Sequence, residues 1–274
     1  MAMSVAVEHA VAVKEEFGCN VQMHELSPRL PPARSPPGEP GSGHSRTVAG
    51  KLKKMLRALG SVLRRNPDRF LREVSGVVHV GANHGQEREI YRAHGLRVVW
   101  IEPIPEVFTE LASNMRDFRN QLAFQALVTD VDDREYEFHI ANNGGESSSI
   151  FEFKQHKDVW PGVDYTTTVL LKSTTLATLF EKEHIDASAY QALIVDTQGS
   201  ELLVLRGALA ALGNFHFIKV EVPDFESYEG CCQLSDIDSF LTEHGYKELS
   251  RKKFASRAEG GSYFDIVYKK HVVR

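Results

Sequence analysis

Three carboxylates in this chain stand where short apolar runs end. Glu102 closes Val98-Val99-Trp100-Ile101, Asp196 closes Leu193-Ile194-Val195, and Glu221 sits late in Phe217–Val222. In an open α/β sheet, an acidic residue at a strand's carboxyl end faces the ligand crevice. Ahead of Glu102 lies Val77-Val78-His79-Val80-Gly81-Ala82-Asn83-His84-Gly85, a buried run followed by a glycine-bearing turn. Glycines let backbone approach a ligand closely, and a carboxylate twenty-one residues after Gly81 can accept both hydroxyls of a ribose. The pattern therefore describes a pocket for an adenosine-bearing cofactor. Taken singly each piece has a plainer reading: an ordinary strand–turn–helix for the first, and a helix N-cap for Asp196.

A nicotinamide site needs G-x-G-x-x-G, with a second glycine beside the pyrophosphate. Asn83 occupies that position here. Its side chain crowds a pyrophosphate but suits S-adenosylmethionine, which has no phosphate and whose sulfonium and amino-acid tail want polar groups nearby. Methyl transfer from such a cofactor is an in-line displacement, so the protein aligns acceptor, methyl and sulfur. A hydroxyl acceptor also needs a base. Asp196 and Glu221 are the candidates for base or acceptor anchor. His84, Ser147, Ser148 and Gln198 are candidates for acceptor contact, with His139 and Ser149 beside them. A solvated loop is the alternative for the serines. A carboxylate pair can hold a divalent ion, but no metal site is expected. His79, inside a buried strand, is expected to be satisfied by a backbone partner.

The elements needed to position these residues are legible as alternation. Strands are expected at Val77–Gly81, Arg97–Glu102, Ala123–Val128, Leu193–Asp196 and Phe217–Val222. Helices are expected near Glu87–His94, Pro105–Asp117, Thr175–His184, Glu201–Leu209 and Ser235–His244. Continuously apolar strands between amphipathic helices argue for a parallel sheet covered on both faces. Glu135–Ile140 and Thr166–Lys172 add strands around the polar loop Asn142–Ser149. Tyr246–Ser250 and Tyr263–Tyr268, with only a turn between them, should pair antiparallel.

The remainder of the chain sets bounds. Its 274 residues, 42% hydrophobic, allow one large domain plus tails. A net charge of −5 gives no bulk attraction to nucleic acid. Three cysteines, two of them the adjacent Cys231 and Cys232, make neither a disulfide framework nor a zinc spacing, which fits a reducing compartment. No run reaches the roughly twenty apolar residues of a membrane span, and the acidic first twenty residues do not read as a leader. A cytoplasmic location is the expectation. Residues 1–50 include a segment rich in proline, glycine and serine and read as a disordered tail. Residues 51–72 read as a basic amphipathic helix, centred on Lys51–Leu63. It caps the domain or, in the sharper reading, gives Lys51–Arg65 a peripheral membrane contact. Residues 73–274 are the expected catalytic domain.

Taken in order, Val80-Gly81-Ala82-Asn83-His84-Gly85, Glu102-Pro103, Ser147-Ser148-Ser149, Thr174-Thr175-Leu176, Asp196-Thr197-Gln198-Gly199-Ser200-Glu201-Leu202, Val204-Leu205-Arg206-Gly207 and Glu221 resemble the FkbM family of S-adenosylmethionine-dependent methyltransferases. The resemblance covers about residues 75 to 270 and leaves out the first fifty. It implies a Rossmann-like class I methyltransferase fold, with a mostly parallel seven-stranded sheet ending in an antiparallel hairpin. It also implies that His79, Gly81, Ala82, Asn83 and Gly85 hold the methionine portion of S-adenosylmethionine. Glu102 and Pro103 would face the ribose, Ala126 and Leu127 the adenine, and Asp196 the methyl end. The implied acceptor is an oxygen, more rarely a nitrogen, of a small molecule, glycan or lipid-linked compound. Two positions depart from the family pattern: His79 stands where aspartate is frequent, and Leu176-Ala177 where Leu-Asp is frequent. The alternative function is a weakly active or inactive protein of the same fold that recruits partners through its tail.

Overall fold

The computed structural model describes residues 67–271. The Pro-rich tail and the Lys51–Leu63 helix lie outside the described residues. A seven-stranded sheet forms the frame. Its strands are β1 (Gly76–Val80), β2 (Arg97–Glu102), β3 (Gln121–Gln125), β7 (Ala192–Val195), β8 (Phe217–Pro223), β9 (Tyr246–Ser256) and β10 (Ser262–Lys270), in the spatial order β3-β2-β1-β7-β8-β10-β9. The pairs from β3 across to β8 are parallel, while β10 runs antiparallel to both β8 and β9. The class I methyltransferase fold, with its antiparallel C-terminal pair, is thus present.

The continuously apolar strands explain the layers. Val78, Val80, Val99, Ile101, Leu193, Val195, Ile218 and Val220 point to one face. There they meet the helices Leu176–Lys182, Glu201–Gly207 and Leu234–Glu243. Val77, Val98, Trp100, Ala192, Ile194 and Phe217 point the other way, against Tyr91 of the Arg88–Ala93 helix and Leu111 of the Pro105–Asn114 helix. Strands buried on both faces have no polar side to present, so every residue of β1 and β7 is buried. Phe70 and Leu71, in the 3-10 turn Pro67–Glu73, join the second face. The packed part of the described chain therefore starts at this turn, ahead of residue 73.

Three expectations change in detail. The strand expected over Ala123–Val128 is two: β3 ends at Gln125, and β4 (Leu127–Val128) turns away to pair with β6 (Tyr165–Thr174). Ala126 is the pivot, its amide held by the carbonyl of Glu102 at 3.3 Å. Strand β6 also pairs antiparallel with β5 (Glu135–Ala141), so the extra strands make a separate three-stranded sheet. The C-terminal strands run well past the expected Tyr246–Ser250 and Tyr263–Tyr268, to eleven and nine residues. Their pairing tolerates two register shifts, and most of the exposed residues of β9 are polar, which hid the length of the strand from a pattern of apolar residues.

Candidate active site

A cavity of about 550 Å³ opens where the sheet order reverses, between the carboxyl ends of β1 and β7. Its floor is the glycine turn. The amides of Gly81 and Ala82 both donate to the carbonyl of Ile101 at 3.0 Å, and that of Asp196 donates to Val80 at 3.0 Å. Gly81 has φ +81, and a Cβ there would lie 1.7 Å from the carbonyl oxygen of Asp196. Only glycine allows the two strand ends to approach this closely.

Asn83 also has positive φ, 44°, and its side chain explains why a non-glycine stands there. Its Oδ1 accepts from the amide of His84 at 2.8 Å and from Gln86 Nε2 at 3.1 Å, while its Nδ2 donates to the Gly144 carbonyl at 3.1 Å. The turn is thereby tied to the Asn142–Ser149 loop. Glu102 is 4% exposed. Its two oxygens accept the amides of Asn83 (2.9 Å) and Ile104 (3.0 Å), one each. Each oxygen keeps a second lone pair, so the carboxylate fits a ribose diol without releasing the loops. Burial pushes its pKa up to about 7 against the pull of those two amides. Pro103, Ile104, Ala126, Leu127 and Phe138 continue the wall as an apolar slot beside it.

Opposite lie Asp196 and Glu221. Both are half-buried and line the same cavity. Burial, then the neighbouring Glu201, raises Asp196 to about 7. Burial, then Asp196 and Asp265, raises Glu221 well above the carboxylate range. Gln198, strained at φ +52, bridges the pair to the rest of the wall: its Nε2 donates to Asp196 at 2.7 Å and its Oε1 accepts the hydroxyl of Tyr228 at 2.8 Å. Asp196 caps no helix. The structural carboxylate of this segment is Glu201, 1% exposed, which takes the amides of Thr197 (2.9 Å) and Gly199 (3.1 Å) and so sets the loop that presents Asp196.

Most of the residues expected from sequence meet at this cavity: His79, Gly81, Ala82, Asn83, Glu102, Pro103, Ala126, Leu127, Ser147, Ser148, Asp196, Gln198 and Glu221 all line it. His84 does not. Its Nδ1 lies 3.1 Å from Glu110 on the outer side of the turn, so it is not placed for acceptor contact. Gly85 shapes the turn from beneath, where a Cβ would meet Leu111 and Met115 within 2.8 Å. His139 also lies elsewhere, stacked on Tyr165 with Nδ1 3.0 Å from the Thr168 hydroxyl. The serine loop is not solvated: Ser147, Ser148 and Ser149 are 7%, 5% and 0% exposed. Backbone pairing with His139 and a 2.7 Å bond from Ser149 Oγ to the Gln198 carbonyl pull it inward. His79 is satisfied by a side chain rather than by backbone. Its Nδ1 lies 3.2 Å from the Tyr91 hydroxyl, its ring stacks on Trp100, and burial lowers its pKa to about 3.

Several site residues gave no sequence signal: His156, Trp160, Tyr228 and Phe254. His156 Nε2 sits 3.1 Å from Ser147 Oγ, and burial drops its pKa to about 4, leaving it neutral. These side chains come from segments remote in sequence, with no motif to mark them. Among the described residues no group of three or more His, Cys, Asp or Glu is arranged to hold a metal.

Comparison with known proteins agrees with this geometry. The family model of the methyltransferase FkbM domain matches residues 79–248, more than half the chain. No curated protein matches. Similar solved structures include a proposed tRNA (m1A22) methyltransferase of Streptococcus pneumoniae in complex with S-adenosyl-L-methionine (12% identity, 75% of this chain, 72% of that one, TM-score 0.43). An uncharacterized protein of Listeria monocytogenes serotype 4b is also similar (10% identity, 73% of this chain, 63% of that one, TM-score 0.42). A third is the Burkholderia thailandensis 1,6-didemethyltoxoflavin-N1-methyltransferase with S-adenosylhomocysteine bound (11% identity, 86% of this chain, 94% of that one, TM-score 0.38). The chain thus spans from under two thirds to nearly all of these proteins' lengths. It belongs to the FkbM methyltransferase family, and its cofactor is S-adenosylmethionine.

Proposed function

We propose that the chain transfers the methyl group of S-adenosylmethionine to a hydroxyl of a small-molecule, glycan or lipid-linked acceptor. The observation that carries this reading is the Asp196–Glu221 pair, which lines one cavity with the cofactor turn and has raised pKa values. Glu102 holds the ribose through the lone pairs its loop amides leave free, and the slot beside Ala126 and Leu127 takes the adenine. Gly81, Ala82 and Asn83 face the methionine portion. The acceptor oxygen attacks the methyl carbon in line with sulfur. The C–O bond forms, the S–CH3 bond breaks with its electron pair left on sulfur, and the acceptor proton passes to the carboxylate pair. Near neutrality a coupled pair retains one proton, so its ionised member is a base close to ambient pH. Calorimetric titration with S-adenosylhomocysteine tests the cofactor half, and absence of binding refutes it. Labelled S-adenosylmethionine with a cell extract then identifies the acceptor, and label on nitrogen alone refutes O-methylation.

A further inference from the structure

The cavity's acceptor half is walled by rings. Trp160 and Phe254 both pack against the buried Tyr263, with ring centres 4.9 Å and 5.9 Å away. His156 lies 4.8 Å from Trp160 and 5.2 Å from Tyr228. Tyr228 in turn bonds Gln198, which touches Asp196, so one continuous aromatic wall ends at the carboxylate pair. Phe254, 41% exposed, lines the same cavity.

Several polar atoms along this wall are already used, while His156 Nδ1 is buried without a hydrogen-bond partner. Ser147 Oγ serves His156 and Asn143, and both ends of the Gln198 amide are bonded. Five acids line the whole cavity (Glu87, Glu102, Glu146, Asp196, Glu221), with no lysine or arginine. A flat ring gains stacking area against Trp160 and Phe254 that an aliphatic acceptor does not. A phosphorylated or otherwise anionic acceptor would be repelled. From this we infer that the acceptor is an uncharged flat aromatic compound whose ring lies against Trp160 and Phe254 and whose phenolic hydroxyl points at the carboxylate pair.

The inference rests on the methyl-transfer reading and narrows its acceptor. A phenol, with a pKa near ~10 like that of tyrosine, gives up its proton to a carboxylate base far more readily than an aliphatic alcohol does. As the C–O bond forms, that proton moves to Asp196 or Glu221 and the sulfur keeps the S–CH3 pair.

The test uses the purified chain loaded with S-adenosylhomocysteine, titrated with the fluorescent phenol umbelliferone. Methyl transfer from labelled S-adenosylmethionine to umbelliferone and 2-naphthol is measured alongside transfer to methyl glucoside and tryptamine. Binding and labelling of the phenols above the glycoside and the amine is the expected result. Phe254→Ala should weaken umbelliferone about tenfold, the scale of one aromatic contact. It should leave S-adenosylhomocysteine affinity unchanged, and Trp160→Ala should act in the same direction. Normal S-adenosylhomocysteine binding with no phenol binding, or with preferred labelling of the glycoside or amine, overturns this inference alone. Failure to bind S-adenosylhomocysteine overturns the methyl-transfer reading itself.

Discussion

Replacing Glu102 by glutamine separates ligand binding from folding at this site. In the wild type each carboxylate oxygen holds one loop amide, at 2.9 and 3.0 Å, and has one lone pair left for a ribose hydroxyl. Two bonds to a charged acceptor contribute ~2 kcal/mol each, and a neutral one about 1 kcal/mol. Glutamine offers one carbonyl oxygen, so about 3 kcal/mol of ribose binding is lost, or roughly a hundredfold in affinity for S-adenosylhomocysteine. Stability should change little. One loop amide loses its acceptor, but the side chain no longer ionises in a site that raises its pKa to about 7. These effects oppose one another, so the melting temperature should move by less than ~4 °C, the shift that about 1 kcal/mol gives in a domain of this size. Titration calorimetry at pH 8 with a parallel thermal melt reads both quantities. Wild-type affinity should also fall as pH drops through 7, and the variant should lose that component. Affinity within threefold of wild type with an unchanged melt would refute the ribose assignment, and a collapsed melt would show that Glu102 is chiefly a loop tether.

Asp196→Asn should lower turnover by 10²-fold or more, the scale of a general base, with cofactor affinity changed less than threefold; equal losses would move Asp196 to the cofactor. Gly81→Ala should cost more than ~3 kcal/mol in denaturant unfolding, because its Cβ would lie 1.7 Å from a backbone oxygen at φ +81; a near-normal midpoint would refute the close approach of β1 and β7. Thermal stability of the ligand-free protein should stay level between about pH 4.5 and 6.5 and fall as pH rises through 7. Glu102 and Asp196 have folded pKa values of about 7, above the unfolded value, so their stabilisation is complete in acid and lost as pH rises through 7. His79 and His156 are depressed to about 3 and about 4, so theirs is present above ~6.5 and lost as pH falls. A melt that rises steadily to pH 8.5 would contradict the buried carboxylates.

Those buried groups also show what a sequence can and cannot disclose. Leu193-Ile194-Val195 and Val98-Val99-Trp100-Ile101, set between amphipathic helices, read as strands covered on both faces, so the parallel frame was legible, and Glu102 and Asp196 followed from where those runs stop. Ala126 was not legible as a pivot, since a change of sheet leaves the apolar run unbroken. Glu201 looked like one more helix-opening acid, though it takes three loop hydrogen bonds from Thr197 and Gly199. A solvated loop stood as the alternative for the serines because polarity in sequence does not reveal that β5 and the Gln198 carbonyl consume their donors. Trp160, Tyr228 and Phe254 belong to the site only through packing between segments far apart in the chain.

The bonds made by Asn83 have an entropic corollary. A glycine-rich loop is ordered by its ligand, and that ordering costs conformational entropy at the moment of capture. Here the side chain of Asn83 and the carboxylate of Glu102 fix the turn with four hydrogen bonds made by the chain itself. A seat held by the protein's own bonds loses less conformational entropy on capture than a glycine-rich loop does.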